Sequence, residues 1–203
     1  MTAYEIGFKS GLAGGKVRVN GSAFMYDYED IQTFVPSSLG FRLANLEEAD
    51  ISGVELEVLA SVTDGLDIRF GAGFLDSEVS SQYADYDGNS LPNAPETQVT
   101  GTIRYQFPMT SSLNLVLQAD AKYTDSMYRE STNNPWLSSD SYTVVNARVG
   151  VAADSGKWEL AAWAKNLTDE EYTQEVFGSD IIGMVTALYG NPRQYGVTLN
   201  YNF

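Results

Sequence analysis

Apolar and polar side chains alternate along most of the chain with a period of two residues, and no segment shows the 3.6-residue stripe of a helix. The alternation predicts β-strands throughout the chain. We place nine of them, at residues 3–10, 16–27, 51–62, 66–76, 97–107, 112–123, 142–152, 157–166 and 194–203. Most run about 9–12 residues, close to the length of a tilted membrane-crossing strand, whereas strands of soluble proteins are typically about 5–6 residues long.

Each predicted strand has one apolar face without a charge and one polar face. In the sixth strand Leu113, Leu115 and Leu117 lie on the apolar face, and Gln118 and Asp120 lie on the other. A soluble β-sandwich also has one apolar face per strand, so alternation alone does not decide the environment. The lengths of the connections and the positions of the aromatic residues distinguish a membrane barrel from a soluble sandwich.

Short and long connections alternate along the predicted strands. The short ones are residues 11–15, 63–65, 108–111 and 153–156, and the long ones are residues 28–50, 77–96, 124–141 and 167–193. Short turns on one side of a membrane and long loops on the other are typical of outer-membrane barrels. We therefore predict an all-β fold, an antiparallel up-and-down meander of about nine long strands that forms an open, curved part of an outer-membrane β-barrel.

Aromatic residues lie at both ends of the apolar faces, as expected of two interfacial girdles. The girdle at the short turns contains Phe8, Phe107, Trp158 and Phe203, and the girdle at the long loops contains Tyr4, Phe74, Tyr123 and Tyr195.

The composition excludes several classes of function. The chain has no Cys and no His, so it lacks the commonest nucleophile–base pairs and metal ligands. A net charge of −15 argues against nucleic-acid binding. Glu55 and Glu57 share one strand face and could do acid–base work, but we interpret them as a polar pair lining a lumen. We predict no enzyme, catalytic residue, cofactor or metal site.

The long loops contain the candidate ligand contacts. Tyr83, Tyr86, Tyr128 and Trp136 could hold a ligand, or they could pack the loops together. Many acidic residues also lie in the loops, and they could capture a cationic ligand or hold divalent cations against lipopolysaccharide. The alternative interpretation is that these acidic loops are simply solvated.

The last strand resembles the C-terminal signal that the barrel-assembly machinery of outer membranes reads. Its alternating residues are Tyr195, Val197, Leu199, Tyr201 and Phe203. Other segments resemble motifs of the TonB-dependent receptor family, namely 52–57 (SGVELE), 91–96 (LPNAPE), 166–172 (NLTDEEY) and 190–197 (GNPRQYGV). The residues that carry the last two motifs are Asn166, Leu167, Asp169, Tyr172, Pro192 and Arg193.

The resemblance implies a barrel of about 22 strands with a plugged lumen, of which residues 1–203 would be the C-terminal portion, with the plug domain and the earlier strands absent. It implies a barrel-wall part of an outer-membrane transporter for a scarce small molecule such as an iron-siderophore. Its partners would be outer-membrane lipid, lipopolysaccharide and the assembly machinery, with TonB reached only through the plug.

Two other classes remain open from the residues. One is a porin-like or small closed outer-membrane barrel, and the other is a soluble carbohydrate-binding β-sandwich. A barrel enzyme is a weaker option, because the outer-membrane lipase and protease types rely on His.

Overall fold

The computed structural model describes residues 1–37, 40–179 and 183–202. Nine strands form one antiparallel sheet in which each strand pairs with the next sheet strand along the chain. They are β1 Thr2–Leu12, β2 Val17–Ser37, β3 Gly40–Thr63, β4 Leu66–Ser80, β5 Thr97–Pro108, β6 Leu113–Thr124, β9 Tyr142–Ala153, β10 Trp158–Lys165 and β13 Gln194–Tyr201. Within the described residues the sheet is not closed, since β1 and β13 are its two edges. The predicted open meander of long strands is confirmed.

Smaller elements lie in the connections. Two short hairpins are β7 Met127–Tyr128 with β8 Ser138–Ser139, and β11 Thr173–Ser179 with β12 Met184–Tyr189. Two 3-10 turns cover Ala13–Gly15 and Pro135–Leu137. In the described part of the chain, no helix has the length and apolar content that crossing a membrane would require.

The largest difference from the sequence prediction concerns residues 28–50. We predicted a long loop there, but β2 and β3 continue as a paired hairpin out to Ser37 and Gly40. The loop prediction is therefore wrong for this segment. Residues 31–35 are Ile, Gln, Thr, Phe and Val, and β-branched and aromatic residues favour strands even where the alternation is weak.

The apolar face of the sheet is open rather than packed against a second layer. Large apolar side chains remain exposed along it, including Ile6 at 76%, Val197 at 71% and Leu199 at 65%. Exposed apolar area on this scale marks a surface that faces another apolar medium or a partner. The predicted alternation therefore places its apolar side chains on a surface that a membrane would cover.

One short turn shows why its glycine is needed. Gly65 lies between β3 and β4, and a Cβ at this position would overlap the carbonyl oxygen of Gln106 on β5. The backbone amide of Gln106 donates to the Gly65 carbonyl at 2.8 Å. The close approach of the two backbones thus fixes the turn against the neighbouring hairpin.

Buried apolar residues are concentrated at the long-loop end instead of between layers. The cluster consists of Ala44, Leu46, Ala49, Val79 and Tyr86, with Ile31, Tyr83 and Leu91 packed against it. It joins the β2–β3 hairpin to the end of β4 and to the loop that follows. We call it the loop cluster.

The β2–β3 hairpin reverses its faces before it reaches the loop cluster. Near the short turns, even-numbered residues of β3 such as Val54 and Leu56 are exposed on the apolar face. Beyond Asp30, whose φ is 59°, the even-numbered Ala44 and Leu46 are buried among the loops. The left-handed residue therefore allows the hairpin to turn its apolar side chains onto the neighbouring loops.

We expect Leu46→Ala to loosen the loop cluster, because the Leu46 side chain is only 1% exposed. Truncation of a buried Leu costs about 2–5 kcal/mol through lost burial and the cavity left behind. Faster hydrogen exchange of the Val79 and Gly88 amides, which pair across this loop, would report it. Leu43→Ala is the control, since Leu43 is 54% exposed on the same hairpin. Equal exchange in the two variants would contradict the prediction.

Acidic residues face one another across β2, β3 and β4, at the long-loop end of the predicted membrane-crossing segments and just beyond it. Asp27, Asp50 and Glu78 are register partners across the three strands, and Glu29 is the partner of Glu48 in the next row. The nearby charge of Asp27 is the largest cause that raises the pKa of Glu48 above its usual 4.5, and Asp50 adds to it. The carboxylates therefore repel one another when all are ionised.

Glu48→Gln should stabilise this end of the sheet at neutral pH by removing that repulsion. A carboxyl with a raised pKa in the folded state stabilises folding only at low pH, and this contribution is lost as pH rises from 4.5 through the folded value. The difference in unfolding free energy between Glu48→Gln and the wild type should therefore become smaller in acid. Urea midpoints across pH 3–8 would measure it, with the turn variant Asp64→Asn as the control. A larger difference in acid would contradict it.

Candidate functional site

The polar face of the sheet is a network of short side-chain contacts between neighbouring strands. Asn20 donates to Glu57 at 2.6 Å, and the Arg148 guanidinium lies 2.7 Å from Glu159. Such a face can meet water or polar groups, and its cross-strand pairs hold the register.

The pair of Glu55 and Glu57 lies on this polar face, within a wide groove that also contains Lys9 and Asn20. Glu57 accepts the hydrogen bond from Asn20. This pairing favours the interpretation of the two carboxylates as lining groups rather than as an acid–base couple.

A cavity of about 630 Å³ opens on the polar face at the long-loop end of β5, β6 and β9. It combines two cations, two carboxylates and two tyrosines, namely Lys122, Arg129, Asp120, Glu175, Tyr142 and Tyr172. Asp120 is held by the Asn146 amide at 2.7 Å. The cavity thus offers charges of both signs beside an aromatic surface, a mixture suited to a polar ligand with flat groups. We call it the entrance cavity.

The two tyrosines of the entrance cavity form a stacked pair, with ring centroids 4.5 Å apart and planes 19° from parallel. Tyr172 belongs to a predicted family motif, whereas Tyr142 was not among the predicted site residues. The alternation along β9 could have identified Tyr142, because this residue begins the strand on the same polar face as Asn146 and Arg148.

The loop aromatics predicted as ligand contacts occupy different environments. Tyr86 is 4% exposed within the loop cluster, and Tyr83 packs beside it with centroids 6.4 Å apart. Burial raises the pKa of the Tyr86 phenol. Tyr128 is half-buried, whereas Trp136 is 78% exposed. The packing of Tyr86 and the partly buried Tyr83 favours the alternative in which loop aromatics pack the loops, whereas Trp136 is the most exposed of the four.

Asn166 organises both ends of the last long connection. It is 3% exposed and has a φ of 48°. Its side-chain amide donates to the carbonyls of Glu170 at 2.9 Å and Asn191 at 3.1 Å, and its side-chain oxygen accepts from the Glu170 amide at 2.8 Å. An asparagine both tolerates this backbone and satisfies groups on two segments.

The two C-terminal motifs meet at this point. The Asp169 carboxylate accepts the Arg193 backbone amide at 2.8 Å and lies 3.5 Å from its guanidinium. The Gly190 amide donates to the Tyr172 carbonyl at 2.8 Å. Motif residues that are far apart along the chain thus close the base of one loop, and we call this group the motif clasp (Asn166, Asp169, Tyr172, Gly190 and Arg193).

The remaining motif residues lie around the motif clasp. The Leu167 amide donates to the Val145 carbonyl at 2.7 Å, which ties the motif to β9, and Pro192 is exposed. Asn166, Leu167, Asp169, Tyr172 and Arg193 therefore have structural partners in the described chain.

The predicted assembly signal lies on edge strand β13. Its residues on the apolar face are Tyr195, Val197, Leu199 and Tyr201, whose exposed fractions run from 56% to 82%. Phe203 lies outside the described residues. The side chains of Glu47 and Asp180, among the acidic loop residues, also lie outside them.

Among residues 1–37, 40–179 and 183–202, no three His, Cys, Asp or Glu side chains are grouped so as to hold a metal ion.

Comparison with protein families identifies the class. The family described as TonB dependent receptor-like, beta-barrel, matches residues 1–167. The chain therefore belongs to the TonB-dependent receptor β-barrel family, which consists of outer-membrane transporters and receptors rather than enzymes. The predicted family is confirmed.

Known relatives agree with this assignment. The chain is 24% identical over 188 residues to the probable TonB-dependent siderophore receptor PiuA of Acinetobacter baumannii, and the match covers 87% of this chain and 24% of that protein. The fold matches the ferric yersiniabactin uptake receptor FyuA from Yersinia pestis with a TM-score of 0.85 at 20% identity, covering 99% of this chain and 29% of that one. The chain thus spans about a quarter of the length of PiuA.

A second solved structure shows the same fold. The ferric preacinetobactin receptor BauA from Acinetobacter baumannii matches with a TM-score of 0.77 at 19% identity, covering 99% of this chain and 29% of that receptor.

Gly190→Ala should open the motif clasp, because a Cβ at this position would overlap the ring of Tyr172. Overpacking of this kind costs about 1–3 kcal/mol. Hydrogen exchange of residues 166–172 should accelerate, and loss of the Tyr142–Tyr172 stack should change the near-ultraviolet circular dichroism. The matched control is Gly101→Ala on β5, where a Cβ would meet nothing within 4 Å. A Gly190→Ala protein with the properties of the control would contradict the prediction.

Proposed function

We propose that this chain forms part of the barrel wall of an outer-membrane, TonB-dependent transporter that takes up a scarce small molecule, with an iron-siderophore as the first candidate. The observation that carries the proposal is an uncovered apolar face along the strands of a chain that the family matches over residues 1–167. The siderophore assignment is supported by the names of two relatives, since PiuA is named a probable TonB-dependent siderophore receptor and FyuA a ferric yersiniabactin uptake receptor.

The two faces of the sheet would have separate roles. The apolar face contacts outer-membrane lipid, while the polar face, with Glu57, Lys9 and Arg148, lines the lumen and contacts a plug domain. The entrance cavity lies where that lumen meets the loops. TonB reaches this part of the wall only through the plug, which we place outside these 203 residues.

Two further partners follow from the edge and the loops. The exposed alternation of β13 supports recognition by the barrel-assembly machinery. The acidic rows of β2, β3 and β4 lie near the end of the lipid-facing residues. Within the part of the chain that the structure describes, they do not form a metal site by themselves, so divalent cations bound there would take lipopolysaccharide phosphates as further ligands.

The rival functions are less well supported. A soluble β-sandwich needs a second sheet over the apolar face, and the described residues form only the one large sheet with two small hairpins. A porin-like or small closed barrel is compatible with the strands, but the family match favours the plugged receptor.

The protein that contains this chain should migrate as a heat-modifiable band from outer-membrane fractions, because folded barrels resist unfolding in detergent until they are boiled. Band positions before and after boiling would show this. A protein that stays soluble in the periplasm would contradict the proposal.

Uptake gives the complementary measurement. Cells that express the full-length protein should accumulate iron-55 supplied as a ferric siderophore, and a TonB-deficient strain should not. Equal accumulation in both strains would favour the porin-like alternative.

A further inference from the structure

Arg129 lies where the loops meet and donates hydrogen bonds in three directions. Its Nε donates to the Ser139 hydroxyl at 2.8 Å, and its two terminal nitrogens donate to the Asn93 side-chain oxygen at 2.8 Å and to the Thr173 carbonyl at 3.1 Å. Asn93 belongs to the β4–β5 connection, Ser139 to the β6–β9 connection and Thr173 to the β10–β13 connection. One side chain thus joins all three.

The partners of Arg129 are themselves held in place. The Asn93 backbone has a φ of 60° and its amide donates to the Tyr128 carbonyl at 2.8 Å. Ser139 is 1% exposed and is also bonded by the Thr173 hydroxyl at 2.8 Å. The Arg129 backbone amide donates to Leu137 at 2.8 Å. A planar guanidinium with a rigid fork of donors fits such fixed acceptors, whereas a lysine could satisfy only part of them.

The acceptors are all neutral. The ion pairs among the described residues are Arg148–Glu159 and Arg193–Asp169, so Arg129 belongs to neither. The half-buried Arg129 guanidinium is held by a hydroxyl, an amide and a carbonyl, and it lines the entrance cavity with Lys122. The contacts therefore depend on geometry more than on charge neutralisation.

We propose that Arg129 is a positioning residue that holds the three connections together as one wall of the entrance cavity, and that this wall slows the release of a bound ligand. We call the group of Asn93, Arg129, Ser139 and Thr173 the Arg129 clamp. The inference rests on the proposed function for its ligand. It also makes a claim about the loops that can be tested without a ligand.

The first experiment measures hydrogen exchange in the full-length protein in detergent, as wild type, Arg129→Gln and Arg129→Lys. In both variants the three segments 89–95, 127–139 and 172–176 should exchange faster together, by about tenfold or more, since the shared contacts limit their local opening. Arg42→Gln is the matched control. Arg42 lies on the β2–β3 hairpin, and among the described residues its side chain contacts Tyr83, with a hydrogen bond to the hydroxyl at 3.2 Å and the guanidinium over the ring. It should leave these segments unchanged.

Three results of this experiment would overturn the clamp. They are unchanged exchange in Arg129→Gln, acceleration confined to residues 127–139, and recovery of wild-type exchange in Arg129→Lys. The last result would show that charge suffices and that the three-way geometry does not matter.

The second experiment separates the inference from the proposed function. The probe is a ferric tris-catecholate complex, and the readouts are its association and dissociation rates. Arg129→Gln should raise the dissociation rate by about tenfold with a smaller change in association, because the loops no longer hold the ligand as one wall. If the wild type binds the probe and Arg129→Gln has the same association and dissociation rates, the inference is overturned and the proposed function stays intact. A wild type that does not bind the probe would count against both the proposed function and the slower release of ligand. The hydrogen-exchange experiment would still test whether Arg129 holds the three connections together.

Discussion

Backbone hydrogen bonding between neighbouring strands is the interaction on which the rest of this structure depends. The nine strands pair in chain order from β1 to β13, with one register shift between Ser61 and Thr63, and β1 and β13 are the edge strands of the described sheet. In lipid an unpaired backbone group costs several kcal/mol, so strands can cross only if each is paired on both sides. The pairing in turn fixes which side chains lie on the apolar face of the sheet and which lie on the polar face.

The connections between the strands are joined to one another largely by side chains rather than by a continuous ladder. The loop cluster uses apolar burial around Leu46 and Tyr86, the motif clasp uses Asn166 and Asp169, and the Arg129 clamp uses one guanidinium. Each joins segments from different hairpins. The result is a layer of loops that packs onto the sheet although the sheet itself has no apolar core between two layers.

The fold was largely predictable because period-two alternation repeats in every strand, and a single misread residue does not change the pattern. The hairpin extension of β2 and β3 was not predicted, because the alternation of apolar and polar residues is weak over residues 28–50. Of the tyrosine pair in the entrance cavity, only Tyr172 was a predicted motif residue. Tyr142 and Tyr172 come into contact only when β9 and the last connection fold together, and their separation along the chain does not predict this contact.

The sequence by itself determined the strand periodicity, the apolar and polar faces, the family motifs and the absence of His and Cys chemistry, because these are local properties of neighbouring residues. Only the tertiary structure decided that Tyr86 is buried while Trp136 is open, that the motifs close one loop, and that Arg129 joins three connections. These contacts link residues tens of positions apart, and their geometry depends on how the sheet curves and where each hairpin ends. The local pattern of apolar and polar residues does not determine which distant residues come into contact. The assembled sheet does, because it brings the connections together at one end.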